Sequence, residues 1–281
     1  MQKDVKTPTP LFSGLLIFLG FIFSIAVTGL VGAILMNWAK NQDGLSPGLI
    51  SKLSLVFGEL GLWAFVILFL KFRGYLLKDL FRFRSVPLPV ILVSIPLGVS
   101  LSIVGDQLDR LIQLIVPMPG MVEKLVEFFK FQSHFELAIM ILGAVVLASV
   151  VEESLFRGLL QISLEKYIPV TRAVIYSSLA WAFIHGILYW AIQIFLIGVI
   201  LGYLAWRTNS VVPSMIGHAI NNTLALIFYN INVPETFPAY EWKGQVSPVI
   251  LLPAIFILYW GIRYLDQIYQ RGMPSSSPPT S

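Results

Sequence analysis

The 281-residue chain has no cysteine and little charge, with Asp, Glu, Lys and Arg together at 12%. An ordinary soluble domain carries about 25%. The missing cysteine excludes disulfide frameworks, thiolate metal sites and Cys nucleophiles. The scarcity of charge excludes a soluble globular enzyme, a disordered chain and a conventional nucleic-acid binder. What fills the chain instead is apolar: 57% of residues are hydrophobic and the mean hydropathy is +0.81. A bilayer explains both facts, because lipid-facing surface must be apolar.

The apolar residues fall into runs that predict an all-α, polytopic membrane protein with about eight transmembrane helices. The runs cover residues 11–36, 53–70, 86–104, 136–160, 172–190, 191–206, 211–231 and 247–265, each near the ~20 residues that cross a bilayer. The first is longer than the roughly 7–15 apolar residues of a signal peptide and is read as a span. No polar loop separates 172–190 from 191–206, so this pair is expected as a tight hairpin or a re-entrant pair. No internal repeat suggests an inverted-repeat transporter.

Lysine and arginine set the expected orientation. With the N-terminus inside, twelve of the nineteen lie in cytoplasmic segments: Lys3, Lys6, Lys71, Arg73, Lys78, Arg82, Arg84, Lys166, Arg172, Arg207, Arg263 and Arg271. Six lie outside: Lys40, Lys52, Arg110, Lys124, Lys130 and Lys243. The excess predicts both termini in the cytoplasm of a multi-pass protein, expected in the plasma membrane. The longest connection, 105–135, contains MVEKLVEFFKF, with Met121, Leu125, Phe128 and Phe129 on one face. It is expected as an amphipathic helix, either lying on the membrane surface or packed on the bundle. The Pro- and Ser-rich tail MPSSSPPTS is expected to be disordered. The chain thus divides into N-terminal helices and amphipathic helix (1–134), a core (135–232), a last transmembrane helix (233–270) and the tail (271–281).

The nineteenth basic residue, Arg157, falls inside a span. Charge there is costly, at least ~2.5–3.5 kcal/mol per residue, so the polar residues inside spans are the informative ones. They are Glu59, Glu152, Glu153, Arg157, His185, His218 and Asn222. Glu153 and Arg157, four apart, share a helix face and can pair. Glu152 is rotated by about 100° from Glu153 and can face a cavity. His218 and Asn222 also share a face and can together donate hydrogen bonds to a developing oxyanion. Read singly, the cluster at 152–157 can be a solvated helix end, His185 a hydrogen-bonded core residue, and His218 with Asn222 a polar patch between helices. Read together, three polar sets on three spans point to chemistry. His134, beside Ser133 and Glu136, reads as interfacial. Glu59 faces either the bundle or a water-filled opening.

Glu152-Glu153-Ser154-Leu155-Phe156-Arg157, His185, and His218-Ala219-Ile220-Asn221-Asn222 occur in this order. In this the chain resembles the CAAX prenyl protease and bacteriocin-processing family of intramembrane endopeptidases, also called the Abi family, which includes the type II CAAX prenyl endopeptidases. The family pattern is Glu-Glu-x-x-x-Arg, Phe-x-x-x-His and His-x-x-x-Asn/Asp on separate helices. Trp181 stands where the pattern has Phe. The resemblance covers roughly residues 135–232. It implies Glu152 as the general base that activates water and His185 as a holder of that water. It implies His218 and Asn222 as the oxyanion hole, and Glu153 and Arg157 as supports. It leans to a reaction without cofactor; if zinc is used, Glu152, His185 and His218 are its ligands. The implied partner is a membrane-associated peptide or protein, not nucleic acid. Two further functions are compatible with such residues: a non-proteolytic scaffold or bacteriocin immunity factor, and a transporter with a carboxylate proton relay.

Helix register poses a condition. His185 lies 13 residues, ~20 Å, beyond Arg172, whereas His218 lies only 7, ~10 Å, beyond Val211. For both to meet Glu152, the fifth helix must tilt or start deeper in the cytoplasm, or the seventh must start farther out.

Overall fold

The computed structural model describes residues 6–40 and 45–271. The expected disordered tail, like Lys3, lies outside the described residues. The described chain is a helical bundle with one two-stranded hairpin. Its long helices are α1 (Pro10–Ala39), α2 (Pro47–Phe72) and, after the short α3 (Leu77–Leu80), α4 (Leu88–Gln113). The short α5 (Gly120–Phe128) precedes α6 (His134–Glu165), α7 (Val170–Ile184), α8 (Ala191–Thr208) and α9 (Val212–Asn230). After the short α10 (Val233–Thr236), strands β1 (Glu241–Trp242) and β2 (Gln245–Val246) pair antiparallel and lead into α11 (Pro248–Arg271).

Among the described residues six helices are long and apolar enough to cross a membrane: α1, α2, α4, α6, the segment Leu188–Thr208 that ends in α8, and α11. The other two of the eight expected spans are present as helices but fall outside this set. α9 is long enough, yet its middle carries His218, Asn221, Asn222 and Thr223. α7 has only 15 residues. The expected run 172–190 is therefore too long at its end. The helix stops at Ile184, Gly186 takes φ +66°, and Leu188–Trp190 form a 3₁₀ turn leading into α8. Glycine adopts that left-handed conformation without the Cβ penalty, so the reversal needs no polar loop. The third span also extends past its expected end, to Gln113, which places Asp106 and Asp109 on helix α4.

The ends of the bundle differ. Lys6 Nζ donates to the Arg73 carbonyl, Arg82 pairs with Glu165, Ser210 Oγ donates to the Arg84 carbonyl, and Arg207 pairs with Asp266. One end thus collects the basic loops. The other carries α5, the β-hairpin and the pairs Lys52–Glu136 and Arg110–Glu241. α5 packs on the bundle: Val122 is buried, while Met121, expected on the apolar face, is exposed. Asn230 fastens the segment, accepting from the Phe131 N–H and donating to the Phe129 carbonyl.

The register condition is met by α9. The segment after α3 inserts into the basic end as a plug. Arg82 donates to the Arg157 carbonyl, and the Val211 N–H, just before α9, donates to the Arg82 carbonyl. α9 therefore starts near the level of Arg157, well above the basic end of α6. Gly158 permits this. A Cβ there would stand 2.7 Å from Phe81 Cα and 3.1 Å from the Leu80 carbonyl oxygen. Burial pulls the Arg82 guanidinium below its ordinary pKa, and the Glu165 carboxylate opposes that shift.

Candidate active site

Helix α6 carries two π turns, Ile141–Leu147 and Ser154–Leu160, with regular α-helix at Ala148–Glu153 between them. Such turns leave carbonyls off the regular ladder and are frequent at functional sites. Here the carbonyls of Ala144, Phe156 and Arg157 accept from Asn222 Nδ2, Ser177 Oγ and Arg82 Nη1 respectively. The π turns thus dock α9, α7 and the plug onto α6.

The two neighbouring carboxylates part as the α-helical rotation requires. Glu153 is fully buried. Its Oε1 accepts from Arg157 Nη1 and from His218 Nδ1, both at 2.9 Å. Arg157, also fully buried, reaches the Gly198 carbonyl and lies 4.1 Å from the Trp181 ring centroid in a cation–π contact. Glu152 turns the other way, into a cavity of about 480 Å³ that it lines with Trp181, His185, His218 and Asn222. Its Oε2 accepts from the Trp181 indole N–H at 2.5 Å and lies 3.9 Å from His185 Nε2. At 3.9 Å the pair is too long for a direct hydrogen bond and suited to a bridging water.

Hydrogen-bond partners fix how the imidazoles are presented. His185 Nδ1 lies 2.7 Å from the Trp181 carbonyl. A carbonyl only accepts, so that nitrogen carries the proton, and Nε2 turns its lone pair toward Glu152. His218 Nδ1 faces the Glu153 carboxylate in the same sense, leaving its Nε2 for the cavity. Asn222 donates one Nδ2 hydrogen to the Ala144 carbonyl at 2.8 Å, and its Oδ1 accepts from Asn221 Nδ2. The second Nδ2 hydrogen remains for a ligand.

Of the residues singled out in the sequence, Glu152 therefore stands with His185, and Glu153 with Arg157 and His218, while Asn222, held by the Ala144 carbonyl, lines the same cavity. Trp181 joins them. Its ring meets both imidazoles edge-on, at centroid distances of 5.1 Å for His185 and 5.3 Å for His218. The indole at the position of the family's Phe thus supplies a hydrogen bond that Phe lacks. The zinc set does not fit this arrangement. Among the described residues no three His, Asp or Glu side chains converge as a metal site.

The sequence alone assigns no site role to Trp181, Asp106 or Asp109, which line the cavity together with Glu59, read there as structural or gating. Glu59 was legible as a carboxylate within a span. The two aspartates were not, because the third apolar run ends before them. His134 begins α6 and is absent from the cavity lining.

Residues 134–224 match a protein-family model described as type II CAAX prenyl endopeptidase Rce1-like. No curated protein and no solved structure matches the chain. The matched segment contains all three polar sets and begins at the first residue of α6.

Proposed function

We propose that the chain, whose residues 134–224 match the model of the Rce1-like family of type II CAAX prenyl endopeptidases, cuts a membrane-associated peptide or protein with water activated by Glu152. The observation that carries this reading is the placement of Glu152. It stands in a cavity, held by the Trp181 indole, with the His185 lone pair 3.9 Å away. A water between them gives its proton to Glu152 and its oxygen to the scissile carbonyl carbon. His218 Nε2–H and the second Asn222 Nδ2–H donate to the oxyanion. With Nδ1 held by Glu153, the His218 ring presents Nε2 to the oxyanion. The C–N bond then breaks, and the proton held by Glu152 passes to the leaving amine. Glu153 and Arg157 keep His218 and Trp181 in place. The buried pair resists removal of either partner, since an uncompensated charge there costs about 3–5 kcal/mol.

The basic end faces the cytoplasm of the plasma membrane by the excess of Lys and Arg. The cavity lies in the opposite half of the bundle, reaching Val126 and Phe129 near α5. A substrate entering from the outer half of the bilayer suits that placement better than a lipidated C-terminus presented from the cytoplasm. A scaffold or immunity factor gains nothing from a carboxylate and a histidine lone pair aimed at one point in a cavity.

The test is a comparison of peptide termini in membranes of cells producing the wild-type chain or Glu152→Gln at equal levels. Matched pairs of new C- and N-termini are expected with the wild type alone. Pairs of equal abundance with Glu152→Gln overturn the role of Glu152, and their absence from both overturns the endopeptidase reading.

A further inference from the structure

The cavity holds more negative charge than the proposed reaction uses. Its lining includes Glu59 from α2, Asp106 and Asp109 from α4 and Glu152 from α6, besides His185, His218 and Tyr229, and no lysine or arginine. Most of these acids have partners. Asp106 accepts from Arg110 Nε and Tyr240 OH, Asp109 Oδ2 accepts from Gln113 Nε2, and Glu152 Oε2 accepts from Trp181. Arg157 is spent on Glu153. Glu59 differs. Asp109 leaves Oδ1 without a partner but has Oδ2 bonded, whereas the buried Oε2 of Glu59 has no hydrogen-bond partner and the residue lines the same cavity as Glu152.

A buried carboxylate without a cation, beside a second carboxylate, is unfavourable. An ionisable residue inside a membrane marks a functional site whose partner is to be named. Among the described residues that line the cavity none is a lysine or arginine; besides the acids and the two histidines its polar groups are neutral, such as Ser102, Gln193, Asn221 and Asn222. The missing partner is then in the ligand. We propose that Glu59 is a specificity residue, and that it receives the cationic side chain of a Lys or Arg lying beside the scissile bond of the substrate. The remaining apolar lining, including Phe21, Leu55, Ile194 and Ile197, accepts the flanking apolar residues. The inference rests on the endopeptidase reading for the words "scissile bond" alone; the cation site itself stands on the cavity.

The experiment uses the full chain carrying Glu152→Gln, in lipid nanodiscs, so that peptide binds without being cut. The probes are fluorescein-labelled apolar peptides in which one Lys is moved residue by residue along the sequence. Each is paired with the same peptide carrying norleucine at that position. At one or two adjacent positions the Lys peptide is expected to bind about tenfold tighter than its partner, as for a desolvated charge pair. Glu59→Gln is expected to erase that difference, and Glu59→Lys to transfer the preference to a Glu-bearing peptide. Equal binding of every pair, no binding of any peptide, or a Lys preference that survives Glu59→Gln overturns the proposal. The peptide pairs alone test it should either Glu59 variant fail to fold. Charge-selective binding without cleavage by the wild-type chain overturns the endopeptidase reading and leaves the cation site. Cleavage indifferent to charge does the reverse.

Discussion

At the scale of residues, Trp181 is where this chain departs from the motif pattern it otherwise matches. Its indole touches four polar members of the site: it makes a hydrogen bond to Glu152, a cation–π contact with Arg157 and edge contacts with both histidines. Phe at that position keeps the ring contacts and loses the hydrogen bond. Trp181→Phe is therefore expected to fold and to cut, with a rate within about tenfold to a hundredfold of wild type, the cost of one hydrogen bond to a charged group. Trp181→Ala leaves a cavity beneath the site and is expected to destabilise the protein by about 3–5 kcal/mol. Cleavage rates and thermal unfolding of both variants check this. A loss in Trp181→Phe as complete as that in Glu152→Gln would show the indole N–H itself to be indispensable. The sequence made the two carboxylates readable because a rotation of about 100° per residue sends neighbours apart. It did not reveal the indole bond, because an aromatic exchange looks neutral until the ring nitrogen is seen to face a carboxylate.

At the scale of elements, the plug between α3 and α4 raises the start of α9, and Gly158 is the point on which it rests. A Cβ at 158 meets backbone at 2.7 Å and 3.1 Å, and backbone cannot turn aside as a side chain can. Gly158→Ala is expected to lower stability by about 1–3 kcal/mol, as overpacking does, and to reduce cleavage by moving His218 away from Glu153. Gly14→Ala, where nothing lies within 4 Å of the added Cβ, is the control and is expected to change neither. Thermal unfolding and cleavage of the two variants decide the matter; a Gly158→Ala protein as stable as wild type would contradict the plug's role. Apolar runs revealed the helices here, since lipid imposes them. The plug was hidden because it is short, basic and tertiary in origin: Arg82 is buried only because Glu165 and the Arg157 carbonyl receive it. The end of α7 was hidden for a related reason. Gly186 breaks the helix within a run that stays apolar, and hydropathy does not register the break.

At the scale of the whole molecule, the basic loops gather at one end and the cavity occupies the other half. The absence of cysteine makes this directly testable, because a single introduced cysteine is the only one to react. Lys78→Cys is expected to react with an impermeant maleimide only in inside-out vesicles, and Lys243→Cys only in right-side-out ones. Reaction from the same side, or with the sides exchanged, would contradict the orientation and with it the outer-leaflet route to the cavity.

The central claim is that Glu152 activates the water that ends up in the new carboxyl group. The purified chain, reconstituted in lipid, is given a membrane peptide identified by the comparison of termini, in water enriched in ¹⁸O, and the products are weighed by mass spectrometry. The wild type is expected to yield two fragments, with one ¹⁸O atom in the new carboxylate. Glu152→Gln, equally folded, is expected to yield none. Fragments formed by Glu152→Gln at the wild-type rate would contradict the claim.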